Sequence, residues 1–531
     1  MAPFGHPLVL VAASFAVALA VTVALDRFAL PAKVRAANRP APHASRLADL
    51  LVRAVVAAVI FALFFAISWR PLYAAAGTVS TFVIFTLISR AKYEYIREPL
   101  VFSDIALVML VFRHKELFYA NWLNVAFWAG AFTYVFGASA LFMIFEPSVL
   151  PAMNRPALIA LMVLVAAVPW LLPLEPHARR MLATISASVT GGQDIKLLTV
   201  RLGTLAAVAC SFLAWLGTRP APLLAPAEPG IAAPAIAGAQ DGRPLVVIWQ
   251  SESFMDMRHF GVSPLALPNL DRLRERATEW GRMSSIFEGG YTLRTEFSVI
   301  SGLPPEQLGP DAAHPYLRAG PYADVAWPNR FRKAGWSTHF IHPYDRQFFS
   351  RDRALPQLGF DALTMLDAFD HDREHEGPYV SDLTLSKRVV DCCRDDHADK
   401  GQFLFAASME NHGPWKPGRH GAADDPLQIY LAILERSDAA LGHLADELDR
   451  MDRPIWLAFY GDHAPILKSF ADPFPDPRTD YLIVPMARAA AGTMQARAPA
   501  EKAPWRIIAD MVRHAGFDNG LAGISAAGAV R

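Results

Sequence analysis

Four short apolar runs in the second half of this 531-residue chain each end in side chains able to do chemistry. The run 245–250 (LVVIWQ) leads into Ser251-Glu252-Ser253, STHFI into His342, FLFAASM (403–409) into Glu410-Asn411-His412, and PIWLAFY (454–460) into Gly461-Asp462-His463. One polar strand end is ordinary, because loops are polar; four in one domain point to a shared site. Glu252, Asp462 and His463 together offer two carboxylates and an imidazole with no thiolate. That set suits a hard or borderline divalent ion such as Mn2+, Zn2+ or Mg2+. Taken singly, each has a plainer use: Asp462-His463 as a loop pair bonding to backbone, Glu252 as a solvated carboxylate near a helix start.

A nucleophile candidate lies in Glu288-Gly289-Gly290-Tyr291-Thr292-Leu293-Arg294-Thr295-Glu296-Phe297. The two glycines let backbone approach a ligand closely. Thr292 stands just before a helical run ending near Gly302, where free N–H groups favour an anion. The plainer alternative is a capping box, with Thr292 as N-cap and Thr295 or Glu296 closing it. A threonine hydroxyl attacks nothing at neutral pH unless deprotonated, and metal coordination supplies that activation without a histidine base.

The elements that must hold these groups alternate. β-rich runs are separated by helical patterns, such as 267–280 (LPNLDRLRERATEW) and 428–451, whose apolar residues recur at three and four. Such alternation predicts a mostly parallel sheet covered by helices on both faces, with ligands beyond the carboxyl ends of its strands. The first half is different. Apolar stretches at 7–25, 48–68, 72–89, 122–146, 157–175 (interrupted by Pro169 and Pro173) and 200–217 read as six membrane spans. The first is not a signal peptide, since MAPFGH carries no Lys or Arg and further spans follow. Connections 26–47, 90–120 and 176–199 carry Arg27, Lys33, Arg35, Arg39, Arg46, Arg90, Lys92, Arg97, Arg113, Lys115, Arg179, Arg180 and Lys196. The alternate connections offer only Arg70 and Arg155, so the basic ones belong in the cytoplasm and everything after 217 outside it. Segment 98–112 is amphipathic and reads as an interfacial or re-entrant piece. With no charge placed mid-span as an ion path would need, this half reads as an anchor rather than a transporter.

The expected architecture is therefore an N-terminal multi-span α-helical membrane domain (1–217), a Pro/Ala-rich linker (218–243) and an α/β extracytoplasmic domain (244–531) with a mostly parallel sheet sandwiched by helices. Fifty basic residues against fifty acidic ones leave no basic field for nucleic acid. Three cysteines exclude a disulfide scaffold, and adjacent Cys392 and Cys393 are poorly placed to bridge.

Glu252 after the first strand, the glycine-led Thr292 segment with Glu296-Phe297, and Asp462-His463 after a late strand resemble the alkaline phosphatase/sulfatase superfamily. More closely they resemble its membrane-anchored branch, the lipoteichoic acid synthase and phosphoglycerol transferase proteins. The resemblance implies that Glu252, Thr292, Asp462 and His463 hold one divalent ion, Mn2+ first and Zn2+ or Mg2+ after it, and that Thr292 carries a covalent intermediate. It also implies that His412 contacts the glycerophosphate and takes part in catalysis, and that Arg351 binds phosphate. Phe349 stands in the substrate wall where the family often has tryptophan. By residue type alone, Arg351 reads as a surface ion pair with Asp352 or Asp345, and His412 as a loop histidine satisfied by backbone.

The activity so implied is transfer of a phosphoglycerol group from phosphatidylglycerol to a glycan, lipid or polymer outside the bacterial cytoplasmic membrane. Formylglycine-type sulfatase chemistry is not available, because Thr292 is followed by Leu293-Arg294-Thr295 rather than a C/S-x-P-x-R segment. Phosphoethanolamine transfer shares the threonine and the anchor, but its usual disulfides are missing here. Phosphodiester hydrolysis shares the first half-reaction, and a non-catalytic glycolipid-binding protein would have no need of Thr292.

Overall fold

The computed structural model describes residues 7–39, 46–107, 125–151, 154–192, 194–218, 243–287, 289–374, 377–394, 400–419, 421, 423–487 and 498–517. The chain forms two compact units, residues 1–219 and 220–531. Apart from its two end residues, the expected linker at 218–243 lies outside the described residues.

Among the described residues of the first unit, five helices are long and apolar enough to cross a membrane: Pro7–Phe28, Arg46–Ser68, Pro71–Glu94, Val125–Phe145 and Arg155–Leu174. The sixth expected span, 200–217, is instead divided between helices Ile195–Leu202 and Thr204–Gly217. The second of these has 14 residues, about 21 Å of helix against a hydrocarbon core of about 30 Å. The break is at Gly203, whose φ of 77° suits glycine and where a Cβ would lie 1.8 Å from the Asp26 carboxylate. Such a break frees backbone groups that cannot go unbonded in an apolar medium. Arg53 donates to the carbonyls of Val200 (3.0 Å) and Arg201 (2.7 Å), Asp26 accepts from the Thr204 N–H (3.1 Å), and the two pair at 3.2 Å. Charge inside this unit therefore serves the helix break. In segment 98–112, residues Phe102–Leu107 form a 3-10 turn, and Lys92 reaches Glu98 (2.9 Å) and Asp104 (2.8 Å); residues 108–112 lie outside the described residues.

The second unit is built on an eight-stranded sheet. Its strands are β1 Leu245–Ser251, β2 Glu279–Met283, β3 Ser337–Ile341, β4 Ala362–Thr364, β5 Gln402–Ala407, β6 Pro454–Gly461, β7 Thr479–Ala487 and β8 Ala500–Lys502. The order is β4-β3-β5-β1-β6-β7-β2-β8, parallel except for β7, which runs against both its neighbours. β1 lies between β5 and β6, with Val247 opposite Leu404 and Leu457, and every one of its residues is buried. Covered on both faces, such a strand must be apolar throughout, which is why LVVIWQ shows no alternation. The helix read at 267–280 is shorter, Pro268–Arg276, and its last residues open β2, whose glutamate, glycine and arginine hid the strand. Helix Pro426–Asp449 buries Ile433, Leu434, Leu441, Leu444 and Leu448 in the core with Trp249, Leu404 and Leu457.

An ion-pair network ties the loop after β1 to β7. Buried Asp256 accepts from Arg258 (2.8 Å) and Arg274 (3.0 Å), while Arg274 also reaches Asp480 (2.9 Å) and the Asp256 N–H donates to Asp480 (2.8 Å). Burial alone would raise the Asp256 carboxyl; the two guanidinium groups outweigh it and hold it down at about 2. The folded value lies below the unfolded one near 3.9, so the stabilisation is complete above the unfolded value and lost as pH falls towards the folded one. We expect Asp256→Asn to cost on the order of 2 kcal/mol at neutral pH. The wild-type advantage in thermal midpoint should shrink between pH of about 4 and about 2; a gap that stays constant across that window would remove the charge contribution.

Candidate active site

Parallel strands end together, so the loops after β1 and β6 meet. Ser251 pairs with Gly461 at the edge of that register, and Glu252 and Asp462 follow directly. Gly461 is required there: a Cβ would lie 2.0 Å from the Phe254 carbonyl oxygen. Ser253 takes a left-handed backbone (φ 51°), and its N–H donates to Asp462 Oδ1 at 2.7 Å, as the His463 N–H does at 2.9 Å. Ser253 Oγ donates to Glu252 Oε1 (2.8 Å), and the Glu252 N–H donates to Ser408 Oγ (3.0 Å).

These bonds leave one atom of each residue facing a common point. Glu252, Asp462 and His463 each offer a ligand atom, all within 4.8 Å of one another. His463 Nδ1 donates to the Ala464 carbonyl (3.0 Å), which sets the tautomer and turns Nε2 towards Glu252 Oε1 (3.5 Å) and Asp462 Oδ2 (3.4 Å). Asp462 Oδ2 is buried and accepts no hydrogen bond. Burial first, then the like charge of Glu252, pushes the Asp462 carboxyl up to about 6. Burial would lower His463, but Asp462 and Glu252 outweigh it and hold the imidazole above its ordinary value. Two carboxylates and an imidazole lone pair converging on an unsatisfied buried oxygen are the donor chemistry of a divalent cation.

Thr292 completes the cluster. Its hydroxyl lies 3.4 Å from Glu252 Oε2 and 3.4 Å from His463 Nε2. It is the first residue of helix Thr292–Ser301, and the N-cap is Tyr291, which makes no side-chain cap bond. The capping-box alternative is thus not what forms; the hydroxyl turns to the acidic cluster and Glu296 turns inward. Gly290 allows this approach, since a Cβ there would meet Ile466 Cδ1 at 3.0 Å and His463 Cε1 at 3.3 Å.

Arg351 is not a surface residue paired with Asp352 or Asp345. It is 1% exposed, and its Nε and Nη2 donate to Glu296 at 3.0 and 2.9 Å. Its Nη1 donates to His342 Nε2 (3.2 Å), whose Nδ1 in turn donates to the Ala407 carbonyl (2.9 Å). Burial, then the Arg351 charge, keeps His342 neutral, well below its ordinary value. Arg351 lies near enough to Glu252 for their charges to interact. Phe349 and Ser350, just before it, both have left-handed backbones (φ 57° and 59°), a conformation costing about 1–2 kcal/mol per non-glycine residue. The Phe349 ring packs on Tyr291 (5.5 Å) and against the Arg351 guanidinium (5.3 Å).

His412 is half-buried, with Nδ1 donating to the Gly413 carbonyl (2.7 Å) and its ring 5.7 Å from that of Tyr379. Burial lowers it to about 4, so at neutral pH it is an uncharged imidazole with Nε2 as an acceptor. That nitrogen suits a hydroxyl donor better than a phosphate oxygen. Sequence reading missed Ser253, Ser408, Gln250, Tyr316 and Tyr460 as supports, because serines and tyrosines carry no spacing signal. In the sequence Glu296 reads as a capping-box residue and as part of the Thr292 motif, not as the partner of Arg351. A second acidic group, Asp256, His259 and Asp480, is already held by Arg258 and Arg274.

The chain is similar to known proteins in sequence and in fold. A model of the sulfatase family matches residues 244–503. The chain is 53% identical over 513 residues to the capsular polysaccharide biosynthesis protein RkpI of Rhizobium meliloti (strain 1021), covering 96% of this chain and 95% of that protein. The lipooligosaccharide phosphoethanolamine transferase A (EptA), an integral membrane protein of Neisseria meningitidis, has a similar fold, with TM-score 0.52 and 11% identity over 93% of this chain and 95% of that one. The phosphoglycerol transferase GacH of Streptococcus pyogenes, solved with sn-glycerol-1-phosphate, aligns with TM-score 0.42 and 20% identity over 54% of this chain and 79% of its own.

Asp462→Asn keeps the shape but removes the charge of the unsatisfied oxygen. We expect metal affinity to fall roughly 10–100-fold, read as metal per chain by elemental analysis after dialysis against limiting metal. Wild-type occupancy in the variant would remove Asp462 from the ligand set.

Proposed function

We propose a function from the premise that this chain belongs to the sulfatase family of the alkaline phosphatase superfamily: it is a membrane-anchored phosphotransferase that works through Thr292. The group moved is phosphoglycerol, the donor phosphatidylglycerol, and the acceptor a hydroxyl of a surface polysaccharide. The observation that carries this reading is the Thr292 hydroxyl lying 3.4 Å from both Glu252 and His463. A binding protein has no use for a hydroxyl aimed at two metal-type ligands. The 53% identity to a protein named for capsular polysaccharide biosynthesis supports a polysaccharide acceptor.

Glu252, Asp462 and His463 would hold the divalent ion, with Mn2+ our first choice. Bound there, it would lower the pKa of the Thr292 hydroxyl and offset charge on phosphoryl oxygens. Thr292 Oγ attacks phosphorus, the bond from phosphorus to the diacylglycerol oxygen breaks, and the proton lost by Thr292 ends on diacylglycerol. In the second half-reaction an acceptor hydroxyl attacks phosphorus, the bond to Oγ breaks, and the acceptor's proton ends on Thr292. His412 Nε2, uncharged and accepting, orients that hydroxyl. Arg351 spends three of a guanidinium's five N–H groups on Glu296 and His342, which leaves one on each terminal nitrogen for a phosphoryl oxygen. Phe349 walls that side. With the broken helix pair Ile195–Leu202 and Thr204–Gly217 as a sixth crossing, the basic connections of the first unit support a site on the extracytoplasmic face of the cytoplasmic membrane, beside its lipid donor.

The test is intact mass of the purified chain after incubation with Mn2+ and single phospholipids. Wild type should gain a glycerophosphoryl adduct mapping to Thr292 and lose it when glycan is added; Thr292→Ala should form none and lose at least about 1000-fold in diacylglycerol release. An adduct of phosphoethanolamine would change the donor, and loss of the adduct to water alone would make the enzyme a phosphodiesterase. Near wild-type turnover by Thr292→Ala would end the proposal.

A further inference from the structure

Glu296 sits four residues after Thr292 on the same helix and is 0% exposed. Its Oε1 accepts from Arg351 Nε (3.0 Å) and the Tyr316 hydroxyl (2.7 Å), and its Oε2 from Arg351 Nη2 (2.9 Å) and Gln250 Nε2 (3.2 Å). Gln250 is itself set by the Tyr460 hydroxyl at 2.5 Å. The guanidinium is thus fastened one turn below the nucleophile; its other hydrogen-bond partner, His342, is uncharged, Tyr316, Gln250 and Tyr460 carry no charge, and Glu252 is the further carboxylate whose charge reaches it.

From this we infer that Glu296 is a positioning residue that sets substrate charge: by cancelling Arg351 it makes the centre select phosphodiesters, with one negative charge, over phosphomonoesters, with two. The inference rests on the reading that a phosphoryl group is seated at Thr292. A bare arginine at that point would favour the more highly charged ligand, because a buried unit charge is poorly screened. Paired with Glu296, Arg351 offers directed N–H groups with little net charge. A diester then loses the attraction of one charge, whereas a free phosphate or monoester loses that of two, so the balance moves towards the diester. A lipid transferase gains from this, since soluble monoesters would otherwise occupy the site.

The experiment compares full-length wild type and Glu296→Gln in detergent at alkaline pH, where inorganic phosphate is a dianion. Turnover of bis(para-nitrophenyl) phosphate and para-nitrophenyl phosphate gives the diester-to-monoester ratio, and calorimetry gives affinity for inorganic phosphate. Glu296→Gln should lower the ratio roughly tenfold or more and tighten phosphate binding by a similar factor. Glu296→Asp, which keeps the charge and shortens the reach, should slow both esters while leaving the ratio within about threefold of wild type. Equal loss on both esters with unchanged phosphate affinity would overturn the inference and leave Glu296 a packing residue. Should the Glu296→Gln chain not fold, Arg351→Gln tests the opposite arm: the ratio should rise, and a proportionate loss on both esters would overturn the inference. The phosphate titration needs no turnover, so it decides this point separately from the Thr292 adduct, on which the proposed function depends.

Discussion

Two buried carboxylates facing one another are the constraint around which this domain is arranged. Glu252 and Asp462 present oxygens within 4.8 Å, where two like charges at an effective dielectric near 20 repel by about 3 kcal/mol. No hydrophobic packing holds such a pair together unaided. The fold does so by directing backbone and hydroxyl donors at the outer oxygens and leaving the inner ones to each other. Ser253 and His463 supply N–H groups to Asp462 Oδ1, and Ser253 Oγ supplies Glu252 Oε1. The inner Asp462 Oδ2 is left unbonded. A cation would fit that pattern as the partner of the unpaired oxygen, because an unpaired buried carboxylate oxygen is otherwise a cost.

The same constraint explains choices further out. The register of β1 against β6 brings Ser251 level with Gly461, so their successors meet without a long loop. Glycine at 461 is a requirement of that closeness, against the Phe254 carbonyl, and at 290 a Cβ would fit tightly against Ile466 and the His463 ring. The left-handed backbones of Phe349 and Ser350 are tolerated because the Glu296–Arg351 pair and the Tyr291–Phe349 contact hold the following residue in one place. Removing either member of a buried pair like this leaves a naked charge, typically a loss of about 3–5 kcal/mol. The site's rigidity is therefore carried by its polar groups as much as by the apolar core beneath them.

Much of this was legible in the residues. Apolar runs ending in Glu252, Asp462-His463 and His412 showed where strands stop, because a strand covered on both faces leaves its signature as an unbroken apolar stretch. The sulfatase family and the α/β architecture follow from those ends. The less legible parts are those where one residue type serves two opposite uses. Arg351 read equally well as a surface ion pair, since an arginine beside aspartates is usually solvated; its true partner, Glu296, is 55 residues away in sequence. β2 was hidden because Glu279, Gly281 and Arg282 belong to a strand near the sheet edge, where alternation is weak. Hydropathy could not register the break in the last apolar stretch, which Gly203, Asp26 and Arg53 complete from three separate segments.

These two kinds of buried charge in the molecule obey one rule. In the helical unit Asp26 and Arg53 bond to each other and to the backbone freed at the break. In the α/β unit Glu296 is satisfied by Arg351, Tyr316 and Gln250, whereas Arg351 keeps N–H groups to spare and Thr292, Glu252, Asp462 and His463 keep atoms turned to a shared point. Fully satisfied charge makes a scaffold, and incompletely satisfied charge makes a site. Applied to this chain, the rule passes over the Asp256–Arg274–Asp480 network, rich in carboxylates but saturated by arginines, and selects the cluster around Thr292. It reaches that choice from hydrogen-bond capacity alone, independently of any likeness to known proteins.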